Sequence, residues 1–355
     1  MKNNLIKLPG LIDVHTHLRE PGGTQKEDLD TGTKAAIAGG YTQIIDMPNN
    51  IPPTVDLNSL NNKIKLARNR IWCDVGFNFG ATARSTAYFE KVSKRAFGLK
   101  VYMNQTTGPL LVSDKKERNL IFKAWKSNLP IMVHAKDETI LDAIDLAKKY
   151  KKRIHICHLT YNQLQAVKMA KKKGVKITSE ICPHHLFLCQ DDLKRLGNFG
   201  MMQPPLMSKK DQEKTWDHIN EIDMISTDHA PHTKDEKLDQ SSPKFGVPGL
   251  ETTIPLFFDA IHEKKITLMR FIEMTSVNAR KIFKLPTQEK TYIIVDAGKN
   301  YKISNQGLFT KSSWTPFAGM WGGGKIVKVV LRGETVFENG KFATRPNGKV
   351  IFPKG

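Results

Sequence analysis

The sequence predicts an α/β chain closed into a (β/α)₈ barrel, with a small β subdomain built from its termini. Three observations carry that expectation. Short β-branched apolar runs alternate with amphipathic stretches, the pattern of a parallel sheet whose strands are joined by helices. The length of 355 residues suits one barrel of this kind. After about Leu285 the alternation stops and strand-like segments follow one another directly.

Taken in order, strands are expected at Leu11–His15, Tyr41–Asp46, Ile71–Phe79, Phe97–Met103, Pro130–His134, Arg153–His158, Lys176–Ile181 and Asp223–Asp228. Helices are clearest at Asp137–Tyr150 and Tyr161–Lys173, where apolar residues recur at helical spacing. Between the seventh and eighth strands the chain is proline-rich, and helices there are hardest to place. Thr291–Asp296, Lys325–Arg332 and Glu334–Phe342 read as strands of the subdomain. Its hairpin falls at Glu338-Asn339-Gly340, because Asn-Gly supplies the positive φ of a tight turn. The barrel is expected over residues 10–285, and the subdomain over 1–9 with 286–355.

Composition narrows the class. Hydrophobic residues at 39% and charged residues at 25% provide a core and exclude a disordered chain. The first residues hold no apolar stretch of signal-peptide length, and no run of 18 apolar residues predicts a membrane span. Cys73, Cys157, Cys182 and Cys189 are too few and too scattered for a disulfide framework. A soluble, cytoplasmic protein is expected. The net charge of +20 and the runs Lys148–Arg153 and Lys171–Lys173 raise the idea of a polyanion partner. Those runs close helical segments, where cations oppose the helix dipole, and they lack interleaved aromatics. Nucleic acid is therefore not expected; steering of a small anion is.

The chemistry begins at Asp13-Val14-His15-Thr16-His17. Side chains alternate along a strand, so Asp13, His15 and His17 can share a face, and two imidazoles at a strand's C-terminal end can hold one metal ion. With 11 histidines in the chain, a His-x-His alone is weak. Lys100 lies in the fourth predicted strand, however, while His134, His158 and Asp228 end the fifth, sixth and eighth. In a barrel these ends meet at one mouth. A lone strand-end histidine is usually structural; four histidines and an aspartate at the matching ends are not explained that way. A cationic Lys100 would be repelled by divalent ions, so a role there needs its charge changed, as carboxylation by CO₂ would do. In Ser226-Thr227-Asp228-His229-Ala230-Pro231-His232, Asp228 can move a proton as general base and then acid, with His232 close enough to face a substrate.

These segments resemble dihydroorotases, most closely the dihydroorotase domain of the animal multifunctional pyrimidine-synthesis protein. The resemblance covers essentially the whole chain. It includes His15-Thr16-His17-Leu18-Arg19-Glu20-Pro21-Gly22-Gly23, Asp46-Met47-Pro48-Asn49-Asn50, Gly98-Leu99-Lys100-Val101-Tyr102, His155-Ile156-Cys157-His158, Pro183-His184-His185-Leu186 and Thr227-Asp228-His229-Ala230-Pro231-His232. It implies a barrel of the metal-dependent amidohydrolase type that interconverts N-carbamoyl-L-aspartate and L-dihydroorotate. Two zinc ions are implied, one on His15, His17, Lys100 and Asp228 and the other on Lys100, His134 and His158, bridged by carboxylated Lys100 and a hydroxide. Arg19 and Asn49 match the residues that hold the substrate carboxylate, with His232 nearby. Thr106 matches the threonine of a lid, and Phe245 and Gly246 fall where backbone groups meet substrate.

Departures from the family pattern are specific. Thr107 replaces the aromatic residue of the animal domain, and Gln203 stands where that domain has arginine. Cys157 and Glu180 match an accessory metal site, although a buried cysteine is more often a small hydrophobe. The competing readings are a hydantoinase or allantoinase, which share the metal cage without the Arg19 and Asn49 pair, and a non-catalytic dihydroorotase-like scaffold. A homodimer, or association with aspartate transcarbamoylase, is the expected assembly.

Overall fold

The computed structural model describes residues 4–106 and 108–354, so the Thr107 departure lies outside the described residues. Strand β1 (Leu5–Leu8) belongs to a terminal sheet. The barrel follows as β2 (Leu11–Thr16), β3 (Tyr41–Asp46), β4 (Asp74–Phe77), β5 (Phe79–Gly80), β6 (Leu99–Tyr102), β7 (Ile131–His134), β8 (Ile154–Ile156), β9 (Ile177–Ile181) and β10 (Met224–Ile225). Every pairing among them is parallel, in the orders β2-β3-β4 and β5-β6-β7-β8-β9-β10. β4 and β5 are two halves of one barrel strand separated by Asn78, whose N–H donates to the Asp46 carbonyl at 2.9 Å. Beyond β10 the chain meets the first barrel strand. Thr16 bridges His229 in parallel, and the His17 N–H donates to the His229 carbonyl at 2.8 Å. The barrel is closed.

All residues of β2, β3, β4, β6 and β7 are buried, as expected for parallel strands covered on both sides. Ile12, Val14, Ile45, Met132 and Met224 join one cluster. Leu11, Ile44, Leu99, Val101 and Val133 join another, together with helix residues such as Leu60, Ile64, Ile121 and Leu146. The helices that supply them include Leu57–Ala67, Lys115–Ala124, Glu138–Lys149 and Tyr161–Lys172. Asp56 and Asp114 cap the first two by accepting from the Ser59 and Glu117 N–H groups. Lys148, Lys149, Lys171 and Lys172 stand in last helical turns, where cations suit the dipole.

The sixth and eighth barrel strands are shorter than expected. β8 stops at Ile156 and β10 at Ile225, because His158 (φ 38°) and Asp228 (φ 45°) take left-handed backbone that no strand accommodates. The third begins at Asp74 rather than Ile71.

The terminal sheet is antiparallel, ordered β1-β11-β12-β13-β14, with β11 at Tyr292–Lys302, β12 at Trp321–Leu331, β13 at Glu334–Glu338 and β14 at Lys341–Phe342. Asn339 (φ 49°) and Gly340 (φ 83°) form the expected hairpin turn. Ile293, Val295, Ile326 and Val329 pack into the same cluster as the barrel residues. The last residues of the tail also touch the barrel. Val350 bridges Val75 in parallel, and Ile351 N–H donates to the Val75 carbonyl at 2.9 Å, so the chain returns to the barrel. A side chain at Gly348 would lie 2.1 Å from the Cys73 carbonyl, so only glycine passes there. No described helix is long and apolar enough to cross a membrane.

Candidate active site

Parallel strands deliver their C-terminal ends to one mouth of the barrel, and the site is assembled there. His15 comes from β2 and Lys100 from β6, while His134 is the last residue of β7. His17, His158 and Asp228 follow β2, β8 and β10 within a few residues. Arg19 (φ 61°), His158 and Asp228 all hold left-handed backbone, a strain that surrounding structure must enforce and that gathers at functional sites.

The Asp228 Oδ1 lies 3.3 Å from His15 Nε2 and 3.0 Å from His17 Nε2, and Lys100 Nζ lies 3.5 Å from His15 Nε2. A second pair faces across the cluster, His134 Nδ1 and His158 Nε2 at 2.8 Å. Donors on one tetrahedral zinc ion stand about 3.3 Å apart, from bond lengths near 2.0–2.1 Å. The Asp228 spacings to His15 and His17 match that edge to within a few tenths of an ångström. His15, His17 and Asp228 form one group able to hold a cation.

Electrostatics agree with the geometry. Burial is the largest influence on every group here. It lowers His17 to about 4 and His134 to about 3, and holds His158 well below its ordinary value, so these rings stay neutral with a lone pair to offer. Burial and Lys100 also press on His15, yet Asp228 and Glu180 outweigh them and lift it to about 10. Asp228 is held well below the usual carboxylate range despite burial, chiefly by His15 and His17. Two carboxylates thus favour positive charge at the His15 ring, as a bound divalent ion would supply.

Neighbours fix the orientation of these donors. Glu180 takes a short hydrogen bond from His15 Nδ1 and faces His155 Nε2 at 3.0 Å, turning His15 Nε2 toward Asp228. The Asn49 Oδ1 accepts from His17 Nδ1 at 2.8 Å and does the same for that ring. Cys157 Sγ, 2.9 Å from Lys100 Nζ, lies close enough to His15 and Glu180 for the three to form another possible donor group.

Arg19 opens on the cavity beside this cluster, its Nε donating to the Pro231 carbonyl at 3.1 Å. Among the described residues no carboxylate stands within ion-pair distance of its guanidinium. Asn49, Thr106 and Gly246 line the same cavity. A Cβ at Gly246 (φ 133°) would lie 2.5 Å from the Ala230 carbonyl, so the wall is kept open by glycine. His232 is fully buried beside Arg19, with Nε2 3.3 Å from the Arg19 guanidinium and 3.1 Å from the Phe245 carbonyl. Burial, then Arg19 and Lys26, keep it neutral.

Two further side chains stand on the wall, Tyr102 and the Gln203 that departs from the arginine of the animal domain. Tyr102 Oη and Gln203 Oε1 are buried at the cavity with no hydrogen-bond partner among the described residues. Tyr102 follows Lys100 by two positions, so strand periodicity places both on one face. Gln203 lies on a loop, where no such period operates.

Residues 6–336 match the family model described as the amidohydrolase family. The chain is 42% identical over 346 residues to the "Multifunctional protein CAD" of Squalus acanthias, covering 97% of this chain and 15% of that protein. It is 32% identical over 382 residues to the "Dihydroorotase" of Methanosphaera stadtmanae, covering 96% of this chain and 87% of that protein. The chain is an amidohydrolase of the dihydroorotase family. The L-hydantoinase of Arthrobacter aurescens shares the fold, with a TM-score of 0.92 at 22% identity over 98% of this chain and 89% of that one. This amidohydrolase spans only 15% of the multifunctional relative. Membership makes it a metal-dependent cyclic amidohydrolase, and the imidazole–aspartate donors fit such a metal.

Proposed function

We propose that this chain catalyses the reversible closure of N-carbamoyl-L-aspartate to L-dihydroorotate in pyrimidine synthesis. One observation carries the substrate class: the Arg19 guanidinium, buried and without a described carboxylate partner, opens on the cavity that holds the imidazole–aspartate–lysine cluster. A buried cation of that shape calls for a carboxylate, which it can bind through two parallel hydrogen bonds. Hydantoins lack that group, so the observation favours dihydroorotate over them.

His15, His17, Asp228 and carboxylated Lys100 would hold one Zn²⁺, and Lys100, His134 and His158 a second. When bound, this pair would supply the nucleophile for ring opening and polarise the substrate carbonyl. Lys100 reaches the required charge when its neutral amine adds CO₂ and releases a proton, becoming an anionic carbamate. Arg19 and Asn49 orient the substrate carboxylate, with His232 beside Arg19. Gly246 leaves room for the substrate's edge, and Thr106 closes over it. In ring closure the carbamoyl nitrogen attacks the side-chain carboxyl carbon, Asp228 takes the nitrogen's proton, and water leaves. In ring opening Asp228 returns a proton to the departing nitrogen. Closure consumes one proton overall, so each unit of acid shifts the equilibrium about tenfold toward dihydroorotate.

The test is dihydroorotate formation from carbamoyl aspartate by purified protein, with metal counted on the same sample. Turnover that is lost on metal removal and restored by metal supports the reading, and metal-loaded protein that turns over hydantoin but not dihydroorotate overturns it. Association with a second copy, or with aspartate transcarbamoylase, is read from sedimentation of the mixture.

A further inference from the structure

Cys182 takes no part in the site above, yet it belongs to a donor set of its own. Cys182-Pro183-His184-His185 leaves the end of β9 and turns at once into the short helix Pro183–Phe187. The turn brings the Cys182 sulfur and one nitrogen of each imidazole within 4.8 Å of one another, all three residues buried. This set shares no residue with the His15–His17–Asp228 group.

Both imidazoles are in a state that can bind. His185 Nε2 donates to the Pro204 carbonyl at 3.1 Å, which places the ring proton there and leaves Nδ1 as the lone-pair nitrogen. That Nδ1 is buried with no hydrogen-bond partner among the described residues. Metal-binding histidines are commonly oriented this way, by a carbonyl on the opposite nitrogen. Burial lowers His185 to about 4 and keeps His184 well below its ordinary value, so both rings are neutral. The Cys182 thiol is free and makes no capping hydrogen bond to the helix. Burial first, then the charges of Asp228, Glu180 and Asp13, oppose its ionisation, and the same negative field favours an arriving cation. The plainer alternative is a pair of core histidines beside a small apolar thiol. It leaves the His185 Nδ1 desolvated and unmatched.

We propose that Cys182, His184 and His185 form a separate metal site that takes one thiophilic divalent ion of the zinc type. A thiolate with two imidazoles suits zinc and its substitute cobalt, and not the hard ions that prefer oxygen. Binding converts the thiol to a metal thiolate and releases its proton to solvent.

The experiment is a Co²⁺ titration of the metal-stripped full chain, followed by metal counting and by the near-ultraviolet thiolate-to-cobalt absorption. Wild type should bind one more Co²⁺ per chain than Cys182→Ala or His185→Gln. The thiolate band should persist in Cys157→Ala and vanish in Cys182→Ala. Should Cys182→Ala fail to fold, His185→Gln alone decides, through the missing equivalent of metal. Equal stoichiometry in wild type and His185→Gln, or a band that depends on Cys157 alone, overturns the site. Dihydroorotase activity on the same samples separates this outcome from failure of the two-metal cluster.

Discussion

Lys63 and Lys100 are both fully buried, one reaching the barrel from the helix Leu57–Ala67 and the other standing on β6. Lys63 meets a counter-charge. Its ammonium pairs with Asp46 at 2.5 Å and donates to the Met47 carbonyl at 2.7 Å. Lys100 meets Cys157 Sγ at 2.9 Å and His15 Nε2 at 3.5 Å, and no described carboxylate stands within ion-pair distance. An unpaired buried cation is disfavoured by several kcal/mol, whereas a paired one is held. The difference teaches where to look for chemistry: Lys63 has its counter-charge supplied by the fold, and Lys100 has none among the described residues.

The sharpest way to break this comparison is to remove each amine in turn. Lys100→Ala should lose most of its metal and about a thousandfold in turnover, equivalent to roughly 4 kcal/mol of charge stabilisation, while remaining folded. Lys63→Ala should keep its metal per folded chain but lose about 3–5 kcal/mol of stability, because Asp46 is left unpaired. Metal analysis with denaturant unfolding checks both, and matching behaviour in the two variants would end the distinction. Labelling with ¹³C-bicarbonate sharpens it: one carbamate carbon per chain is expected, retained in Lys63→Ala and gone in Lys100→Ala.

Next in size is Asp228→Asn, expected to keep metal while turnover falls by about 10²–10⁴-fold. Steady-state kinetics on metal-counted protein decides it, and normal turnover would remove the proton-transfer role. Arg19→Lys tests a buried cation at the cavity. It keeps the charge but loses the paired donors, so KM for dihydroorotate should rise about ten- to hundredfold with metal unchanged. The smallest effect is expected from Gly246→Ala, where the φ of 133° and the close Ala230 carbonyl should lower stability by about 1–3 kcal/mol. Thermal unfolding reads that change directly.

Much of this contrast was legible before the fold was known. His15, His17, Lys100, His134, His158 and Asp228 stand at or near strand ends, and parallel strands send such ends to one mouth. The burial of Lys63 also has a period, since Leu60, Lys63, Ile64 and Ala67 are the buried residues of its helix. Its partner Asp46 has none, because the pair is made between elements. His232 illustrates the same limit. Sequence placed it near Arg19, but its contacts with the guanidinium and the Phe245 carbonyl are made between elements and have no period. The left-handed residues His158 and Asp228 were hidden for a related reason: a β-rich pattern does not announce the residue at which a tertiary constraint ends the strand.

The contact between Thr16 and His229 that shuts the barrel has a consequence for how the chain is made. The cluster draws on both sides of that seam, with His15 and His17 from the beginning and Asp228 from far downstream. A growing polypeptide therefore carries these imidazoles while the intervening strands are made, and the carboxylate that completes the set emerges after them.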